Sequence, residues 1–352
     1  ARFLGIDTSC YTTSAAVCDS SGELAGEERI VLSVREGNRG LSQSQMVFQH
    51  TKNLPLILQK LSPFLQDIKG IGVSSFPRRR ADSYMPAFLV GKGCAFYLAA
   101  ALHVPVYEFS HQENHALAAI RKYPALWGKP FYMMHMSGGT MDVLSCIWQG
   151  ECMEITTLMD SKDITAGQLI DRVGVSLGLH FPCGKELEKL AEKGSHTYHI
   201  PRSSLKGAFS FSGPETRVQK DIASGKYSRE DIAQGVLEHI GKALDKELSA
   251  CPFDTTRPFI AVGGVMANQY LRHKVEEIMD RKGMKTYFAD ISASSDNATG
   301  NAFGAFMDTA FNRARGKGST SSFRLQRRNL PAILWLGCFP VFPKGPAAAR
   351  QR

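Results

Sequence analysis

The sequence predicts an α/β protein with two lobes. Its 352 residues are too many for one ordinary hydrophobic core and fit two lobes of roughly 100–200 residues each. Two segments, residues 2–18 and 131–148, each carry a pair of apolar, β-prone runs around a polar turn, which is typical of a β-hairpin. Both lobes are therefore expected to begin with a β-hairpin. Strand and helix patterns alternate after each hairpin, which is typical of an α/β fold.

The first lobe is expected to cover residues 1–128 and to have βαβ character. Its opening hairpin joins residues 2–7 and 13–18 through the hydroxyl-rich turn Thr8-Ser-Cys-Tyr-Thr12. Hydrophobic spacing then predicts the following elements: a helix over 43–66, a buried strand over 68–74, a small-residue helix over 91–102 and a strand over 104–107.

The second lobe is expected to cover residues 129–297. Its hairpin joins Phe131 to Met136 and Asp142 to Trp148 through Ser137-Gly-Gly-Thr140. The patterns after it predict helices near 166–178, 184–193, 228–249 and 267–282, with strands at 259–262 and 286–288. A last helix, 298–311, is expected to complete the N-terminal lobe.

The net positive charge of the chain is concentrated in its last 42 residues. Residues 311–352 hold seven arginines, two lysines and no acidic residue, which leaves 33 of the 42 bases against 33 acids in the rest of the chain. The body is therefore neutral, and residues 312–352 are interpreted as a basic, disordered tail. Electrostatic RNA binding by this tail is an alternative that the sequence leaves open.

Composition places the protein in the cytoplasm. No run of about 18 apolar residues is present, and the chain opens on an apolar strand pattern rather than on a basic segment followed by an apolar one. Eight cysteines occur without a Cys-x-x-Cys pair, so they are interpreted as reduced thiols. We therefore expect no membrane association.

The first chemical motif is His111-Gln-Glu-Asn-His115. In a helix, these two histidines are separated by about 400°, so they lie on one face and can hold one metal ion. In a zinc protease the glutamate directly follows the first histidine, whereas Glu113 lies one position later and points away from the pair. The motif thus favours a metal site without protease chemistry, and a surface pair of histidines stays the alternative.

Two glycine turns are candidates for phosphate or nucleotide binding. Gly138 and Gly139 leave backbone N–H groups free of a Cβ, as a phosphate-binding loop requires. Gly263-Gly264 follows a buried strand and precedes a helix, which is where nucleotides meet a helix N-terminus in open α/β sheets. Ordinary hairpin and connecting turns are the alternatives.

Two carboxylates complete the candidates. Asp7 ends a buried strand, where a charge has to be paired, solvated or linked to a metal. Asp296 lies in a serine-rich turn before a helix, where capping the helix is the alternative role.

Together and in order, these motifs resemble the TsaD (Gcp) family of tRNA threonylcarbamoyltransferases, part of the actin/sugar-kinase/Hsp70 superfamily. The landmarks run from residue 3 to about residue 310. They are Gly5-Ile-Asp-Thr-Ser-Cys10, His111-x-x-x-His115, Ser137-Gly-Gly139, Ala166-Gly-Gln-Leu-Ile-Asp171, Phe181-Pro-Cys-Gly184, Phe209-Ser-Phe-Ser-Gly213, Gly263-Gly-Val-Met-Ala-Asn268 and Asp296-Asn297.

The resemblance implies two ribonuclease-H-like lobes around a nucleotide cleft. It also implies one iron or zinc ion, held by His111, His115 and Asp296. Asp7, Thr12 and Thr140 are the residues that we expect to take part in catalysis. ATP or an adenylate, with Mg²⁺ as an optional companion, is expected to contact the following residues: His135, Met136, Ser137, Gly138, Gly139, Asp171, Gly184 and Asn268.

The implied activity is transfer of a threonylcarbamoyl group from an adenylate to a tRNA adenosine, or of a related carbamoyl group to another acceptor. A dimer with a TsaB-like subunit is the implied partnership. A non-catalytic, nucleotide- and metal-binding paralogue that acts as a partner subunit is the main alternative. A sugar-kinase-type phosphotransferase is a more distant one, because no kinase base is evident.

The chain departs from the family pattern at three places. Tyr11-Thr12 replaces Asp-Glu, Thr140-Met141 replaces His-Thr, and Phe76 to Arg80 replaces a Pro-Gly turn. Standard tRNA threonylcarbamoylation is therefore expected to be weak or absent, with the nearby His135 and Asp142 as candidate replacements. Arg78, Arg79 and Arg80 are expected near the cleft mouth, either binding phosphate or forming a solvated loop.

Overall fold

The fold consists of two five-stranded sheets with helices packed against them and between them. The computed structural model describes residues 1–34, 41–80, 83–149, 152–201, 207–293 and 295–314. Nearly all of the predicted basic tail, from residue 315 onward, lies outside these residues. No helix in the described part of the chain is both long and apolar enough to cross a bilayer.

The first half of the chain forms the first sheet and three helices. In chain order the elements are β1 Arg2–Asp7, β2 Thr12–Asp19, β3 Leu24–Val31, α1 Gln43–Leu61, β4 Ile68–Phe76, α2 Phe88–Leu102, β5 Val106–Ser110 and α3 His111–Ile120. The second half adds β6 Phe131–Met136, β7 Met141–Trp148, β8 Met153–Asp160, α4 Ala166–Ser176, α5 Gly184–Ala191, α6 Ser212–Ser224, α7 Arg229–Ala250, β9 Phe259–Val262, α8 Gln269–Arg281, β10 Thr286–Phe288 and α9 Thr299–Ala314.

The two sheets have the same topology, which confirms the predicted fold class. The first has the order β3-β2-β1-β4-β5 and the second β8-β7-β6-β9-β10. In both sheets the first three strands form antiparallel pairs and the last two join in parallel. Each sheet therefore begins with a hairpin, as the paired apolar runs predicted.

Two outer strands and one helix have no counterpart among the predicted elements. Half of the residues of β3 and of β8 are apolar, but they do not alternate regularly with polar residues, and both strands lie at a sheet edge with a neighbouring strand on one side only. Pairing with β2 and β7 therefore creates them, rather than their own hydrophobic pattern. Helix α6 buries only Val218 and is equally hard to detect from periodicity.

Helix α9 packs closely on the first sheet because glycines remove the side chains between them. A Cβ on Gly5 would lie 2.2 Å from the carbonyl oxygen of Ala298, and one on Gly72 would lie 2.0 Å from that of Asn301. The Asn301 side chain donates to the Ile6 carbonyl and to Ser74. This contact brings the segment before α9 to the end of β1.

Helices α3 and α9 also join the two sheets. A single apolar cluster contains Leu117 of α3, Phe303 of α9, and Met133 and Ile260 of the second sheet. All four side chains are essentially inaccessible to solvent. The layer fixes α3, and hence the histidines at its start, between the two sheets.

Candidate functional site

Helix α3 starts with a capping box that determines how its histidines face. Ser110 accepts a hydrogen bond from the Glu113 backbone N–H at 3.0 Å, and the Glu113 carboxylate accepts one from the Ser110 N–H at 2.7 Å. The helix therefore begins at His111, and His115 follows one turn later. Their Nε2 atoms lie 3.0 Å apart, so both imidazoles point to the same place.

Asp296 brings a carboxylate to the same point from the other end of the chain. Its Oδ1 lies 3.4 Å from Nε2 of His111 and 3.7 Å from Nε2 of His115. The next residue, Asn297, caps α9 through the Thr299 N–H at 2.9 Å and is held by a hydrogen bond from Asn114. Helix capping is thus done by Asn297, which leaves Asp296 free to face the histidines.

Electrostatics within this cluster follow from burial and proximity. Burial raises the pKa of Asp296, but hydrogen bonds and charge interactions with His111 and His115 outweigh burial and hold it well below its ordinary value. Burial lowers the pKa of His111, whereas Asp296, Cys10 and Asp7 raise it to a value well above the ordinary one. An anionic carboxylate is therefore favoured beside the imidazoles.

The donor set fits a transition-metal cation. Two imidazole nitrogens and one carboxylate oxygen are the ligands typical of a catalytic zinc or non-haem iron site with an open position. The remaining ring atoms, Nδ1 of His111 and of His115, are buried and have no hydrogen-bond partner among the described residues. One cation shared by the two Nε2 atoms would account for their approach to 3.0 Å.

The turn after β1 lies directly behind this cluster. Asp7 is fully buried, and its Oδ2 accepts from Ser9 at 2.9 Å and lies 3.8 Å from Nδ1 of His111. The Cys10 thiol, the His111 imidazole and the Asp296 carboxylate have ligand atoms within 4.8 Å of one another. Burial raises the pKa of Asp7, partly offset by His111.

His135, from the second sheet, lies beside the cluster of His111, His115 and Asp296. Its ring centroid lies 5.3 Å from that of His115, and its buried Nε2 has no partner in the described residues. Burial, followed by the neighbouring histidines, lowers the pKa of His135 to about 3. Asp142 pairs with His135 across β6 and β7, so the two share one face of the sheet, and burial raises the pKa of Asp142 to about 6.

Glu113 takes no part in the cluster, in agreement with its position in the motif. Its carboxylate is buried, caps α3, accepts from the Met153 N–H at 3.0 Å and pairs with Arg79 at 3.0 Å. Arg79 is therefore occupied as the partner of a buried carboxylate. Arg78 and Arg80 lie on the exposed part of the same segment.

The second turn, Ser137 to Thr140, differs from the first in having an open surface. Its backbone is closed by a hydrogen bond from the Ser137 N–H to the Thr140 carbonyl at 2.8 Å. A Cβ on Gly139 would meet nothing within 4 Å, and one on Gly138 would meet only Asp171 Oδ2 at 3.9 Å. Neither glycine has a positive φ. Conformation and internal packing therefore do not demand glycine here, whereas close approach of a ligand to the backbone would.

The residues around this turn come from two further elements, α4 and the start of α5. Gly167, at the start of α4, packs so closely that a Cβ would lie 2.4 Å from the Ser137 carbonyl oxygen. Asp171 accepts from the Cys183 N–H at 2.8 Å, just before Gly184 opens α5. Asp171 and Gly184 thus lie near Gly138, and the N-terminus of α4 points a favourable dipole toward the turn.

The other glycine turn supports β6 and ends in a helix cap. Gly263 has φ of 120°, and a Cβ there would lie 1.9 Å from the Met136 carbonyl oxygen. The Asn268 Oδ1 accepts from the Leu271 N–H at 2.9 Å, and its buried Nδ2 has no partner in the described residues. Gly264 faces open space. Asn268 therefore caps α8 with its oxygen and keeps a donor available.

The remaining predicted site residues have different surroundings. The side chain of Met136 lies in the core, so only its backbone can face a ligand. Thr12 is buried at the start of β2, and Thr140 is half-buried at the end of the second turn. Tyr11 is 41% exposed, and its hydroxyl accepts a hydrogen bond from the Leu41 N–H, so its side chain points away from the cluster.

Two residues near the cluster were missed among the predicted site residues. Cys10 was interpreted as one of eight reduced thiols and as part of a family landmark, but not as a site residue, although its place in a hydroxyl-rich turn near Asp7 was a usable signal. His50, fully buried in α1, donates from Nε2 to the Cys10 carbonyl at 3.0 Å. Nothing in its sequence context distinguishes His50 from an ordinary helix residue.

The comparisons with known proteins agree with this arrangement. The sequence profile of TsaD, tRNA N6-adenosine threonylcarbamoyltransferase, matches residues 50–303. An enzyme of that name from Thermosipho melanesiensis is 31% identical over 84% of this chain and 91% of its own. Another from Nautilia profundicola is 29% identical over 84% and 89%.

Solved structures support the fold. The activator of 2-hydroxyisocaproyl-CoA dehydratase from Clostridium difficile, solved with bound ADPNP, has a TM-score of 0.52 at 15% identity and covers 90% of this chain and 98% of its own. Its likeness, like that to other proteins of the actin/sugar-kinase/Hsp70 type, concerns the fold alone. With the sequence profile and the relatives together, the chain belongs to the TsaD family of tRNA N6-adenosine threonylcarbamoyltransferases.

Proposed function

We propose that this protein transfers a threonylcarbamoyl group from an adenylate to the N6 amine of a tRNA adenosine, with one bound iron or zinc ion. The observation that carries the proposal is the convergence of His111, His115 and Asp296 within 3.7 Å, beside the strands that lead into both glycine-containing turns. Family membership supports the reaction class. We also propose that the protein works in the cytoplasm.

His111, His115 and Asp296 would hold the metal ion. When bound, the ion would act as a Lewis acid toward the carbonyl or phosphate of the donor. The protein's own contribution is to aim these side chains, through the Ser110–Glu113 capping box and the Asn297 cap. Asp7, behind His111, would orient its ring through Nδ1 after a movement of less than an ångström from the present 3.8 Å.

The adenylate would bind with its phosphate at Gly138 and Gly139. These glycines have neither a conformational nor a packing reason to be glycine, and the α4 N-terminus lies beside them. Asp171 and Gly184 would border the same ligand, and the unpaired Nδ2 of Asn268 would donate to the adenosine. Mg²⁺ is proposed only as an optional companion of ATP.

The transfer itself is an acyl-type substitution. The N6 amine attacks the carbamoyl carbon, the new C–N bond forms, the C–O bond to the phosphate breaks and AMP leaves, while the amine loses a proton. His135 is the imidazole of this chain that lies nearest to the histidine pair, so we assign it the orienting role of the family histidine that Thr140 replaces. Thr12 and Thr140 would offer hydroxyl hydrogen bonds.

A TsaB-like subunit is the proposed protein partner, and helix α2 is the proposed contact surface. Leu89, Phe96 and Tyr97 on α2 are 51%, 41% and 81% exposed. A row of large apolar side chains on one helix is typical of a protein interface. Dimerisation would cover this face.

The test is metal analysis of the purified protein, followed by incubation with threonylcarbamoyl-adenylate and bulk tRNA. We expect about one iron or zinc ion per chain and slow, metal-dependent formation of modified adenosine. Absence of bound metal after reconstitution would contradict the proposal. Addition of a TsaB-like subunit is the control for an incomplete enzyme.

The second candidate function is that of a non-catalytic partner subunit that binds nucleotide and metal. The observation that favours it is Tyr11, which points to Leu41 where the family has a carboxylate. Binding of both ligands without transfer to any tRNA, in the presence of partner subunits, would favour this candidate over the first.

A further inference from the structure

We infer that Cys10 is an additional metal ligand, which gives this protein a site with one sulfur, two nitrogen and one oxygen donor. The Cys10 thiol, the His111 imidazole and the Asp296 carboxylate place their donor atoms within 4.8 Å of one another. Donors around tetrahedral zinc, with bonds of about 2.0–2.3 Å, lie roughly 3.3–3.8 Å apart. For Cys10, His111 and Asp296, the present separations need side-chain adjustments of only about an ångström.

The position of Cys10 is fixed by a buried chain of hydrogen bonds. His50 Nε2 donates to the Cys10 carbonyl at 3.0 Å, so the proton of this imidazole is on Nε2. Its Nδ1 then accepts from the Thr13 hydroxyl at 2.8 Å, and Thr13 accepts from Asn53 at 3.3 Å. The backbone of the turn is thus tied to α1, while the thiol lies near the His111 imidazole and the Asp296 carboxylate.

The same turn is anchored on its other side. The Leu32 N–H donates to the Tyr11 carbonyl at 2.8 Å, and Thr8 binds both the Ala87 carbonyl and the Gly91 N–H. These contacts, through the backbone of Tyr11 on one side and the side chain of Thr8 on the other, hold the backbone of Cys10 in place beside the cluster. A preorganised donor of this kind costs little entropy when it binds a cation.

A thiolate ligand changes which metal the site prefers. Carboxylate and imidazole donors alone accept several divalent ions, whereas a sulfur donor favours zinc and iron and disfavours magnesium and calcium. The inference rests on the proposed metal site but goes beyond it, because the ligands implied by the family resemblance are two histidines and one aspartate.

The experiment uses the metal-depleted full chain titrated with cobalt(II), and compares it with Cys10→Ser and with Cys94→Ser. Cys94 is another partly exposed free thiol, packed against the first-sheet core, and is the matched control. We expect a sulfur-to-cobalt charge-transfer band in the near ultraviolet for the unmodified chain and for Cys94→Ser. Cys10→Ser should lose the band, keep the visible cobalt bands, and bind metal at least about tenfold more weakly.

X-ray absorption of the zinc-loaded protein provides a second measurement. One sulfur neighbour at about 2.3 Å is expected in the unmodified chain, and none in Cys10→Ser. Cobalt bound with visible bands but no thiolate band, or a band that survives in Cys10→Ser, would refute the Cys10 ligand and leave the proposed function standing. Failure of the unmodified chain to bind cobalt or zinc at all would overturn both.

Discussion

The turns at the heads of the two sheets occupy the same topological position but have opposite properties. The first turn, residues 8–11, follows β1. Asp7 and Ser9 are fully buried there, and Cys10 lies near His111 and Asp296. The second turn, residues 137–140, follows β6 and exposes Gly138 and Gly139, whose missing side chains would meet almost nothing.

The difference teaches how one repeated topology serves two kinds of ligand. Packing of α9 and α2 over the first turn encloses polar side chains, which suits a cation. The second turn exposes the backbone of Gly138 and Gly139 beside a helix N-terminus, which suits a phosphate, although the Gly139 and Thr140 N–H groups now donate to the Ser137 hydroxyl. Damage to the histidine cluster beside the first turn, or to the second turn itself, should therefore affect one ligand and spare the other.

Loss of one imidazole from the cluster of His111, His115 and Asp296 is expected to have the largest effect on activity. His111→Ala should abolish stable metal binding and lower transfer at least about 100-fold, since even changes to outer-shell partners of metal ligands cost about 10–100-fold. Adenylate binding, measured by calorimetry, should change little. His273→Ala, on the exposed face of α8, is the control, and equal loss of both ligands in His111→Ala would break the comparison.

A side chain in the second turn should produce the converse result. Gly139→Val adds a side chain where nothing lies within 4 Å, so the fold should be retained while the phosphate is excluded. We expect about 10–100-fold weaker adenylate binding, equivalent to about 1.4–2.8 kcal/mol, with unchanged metal content. Gly93→Ala, on α2, is the matched control, and unaltered adenylate affinity in Gly139→Val would place the phosphate elsewhere.

Restoring the missing carboxylates tests whether the first turn has lost part of its catalytic function. The double change Tyr11→Asp with Thr12→Glu should raise tRNA threonylcarbamoylation at least about tenfold, because an acid/base group is typically worth about 10²–10⁴ in rate. Complementation of cells depleted of their own TsaD is the measurement. Full rescue by the unmodified chain would mean that these two carboxylates are dispensable.

The smallest effect is expected from Ser9→Ala. It removes the hydroxyl that donates to Asp7 at 2.9 Å and leaves that buried carboxylate with fewer partners. The metal-free protein should lose about 1–2 kcal/mol of unfolding free energy in urea. Ser224→Ala, an exposed serine at the end of α6, should change it by less than about 0.5 kcal/mol.

The sequence alone determined the architecture of the two halves. Apolar pairs around polar turns predicted β1–β2 and β6–β7, because side-chain alternation and turn residues are local properties. The spacing of His111 and His115 likewise predicted a shared helix face, and the structure has it. The edge strands β3 and β8 escaped prediction because pairing with a neighbour, not their own pattern, makes them strands.

Only the tertiary structure decided which distant residues meet. Asp296 reaches the histidines because α9 packs on glycines of the first sheet, a contact across almost the whole chain. His135 joins them from the second sheet, and Cys10 is aimed by His50 from α1. The local sequence pattern does not predict such long-range contacts, because they depend on how helices and sheets pack once their apolar faces are buried.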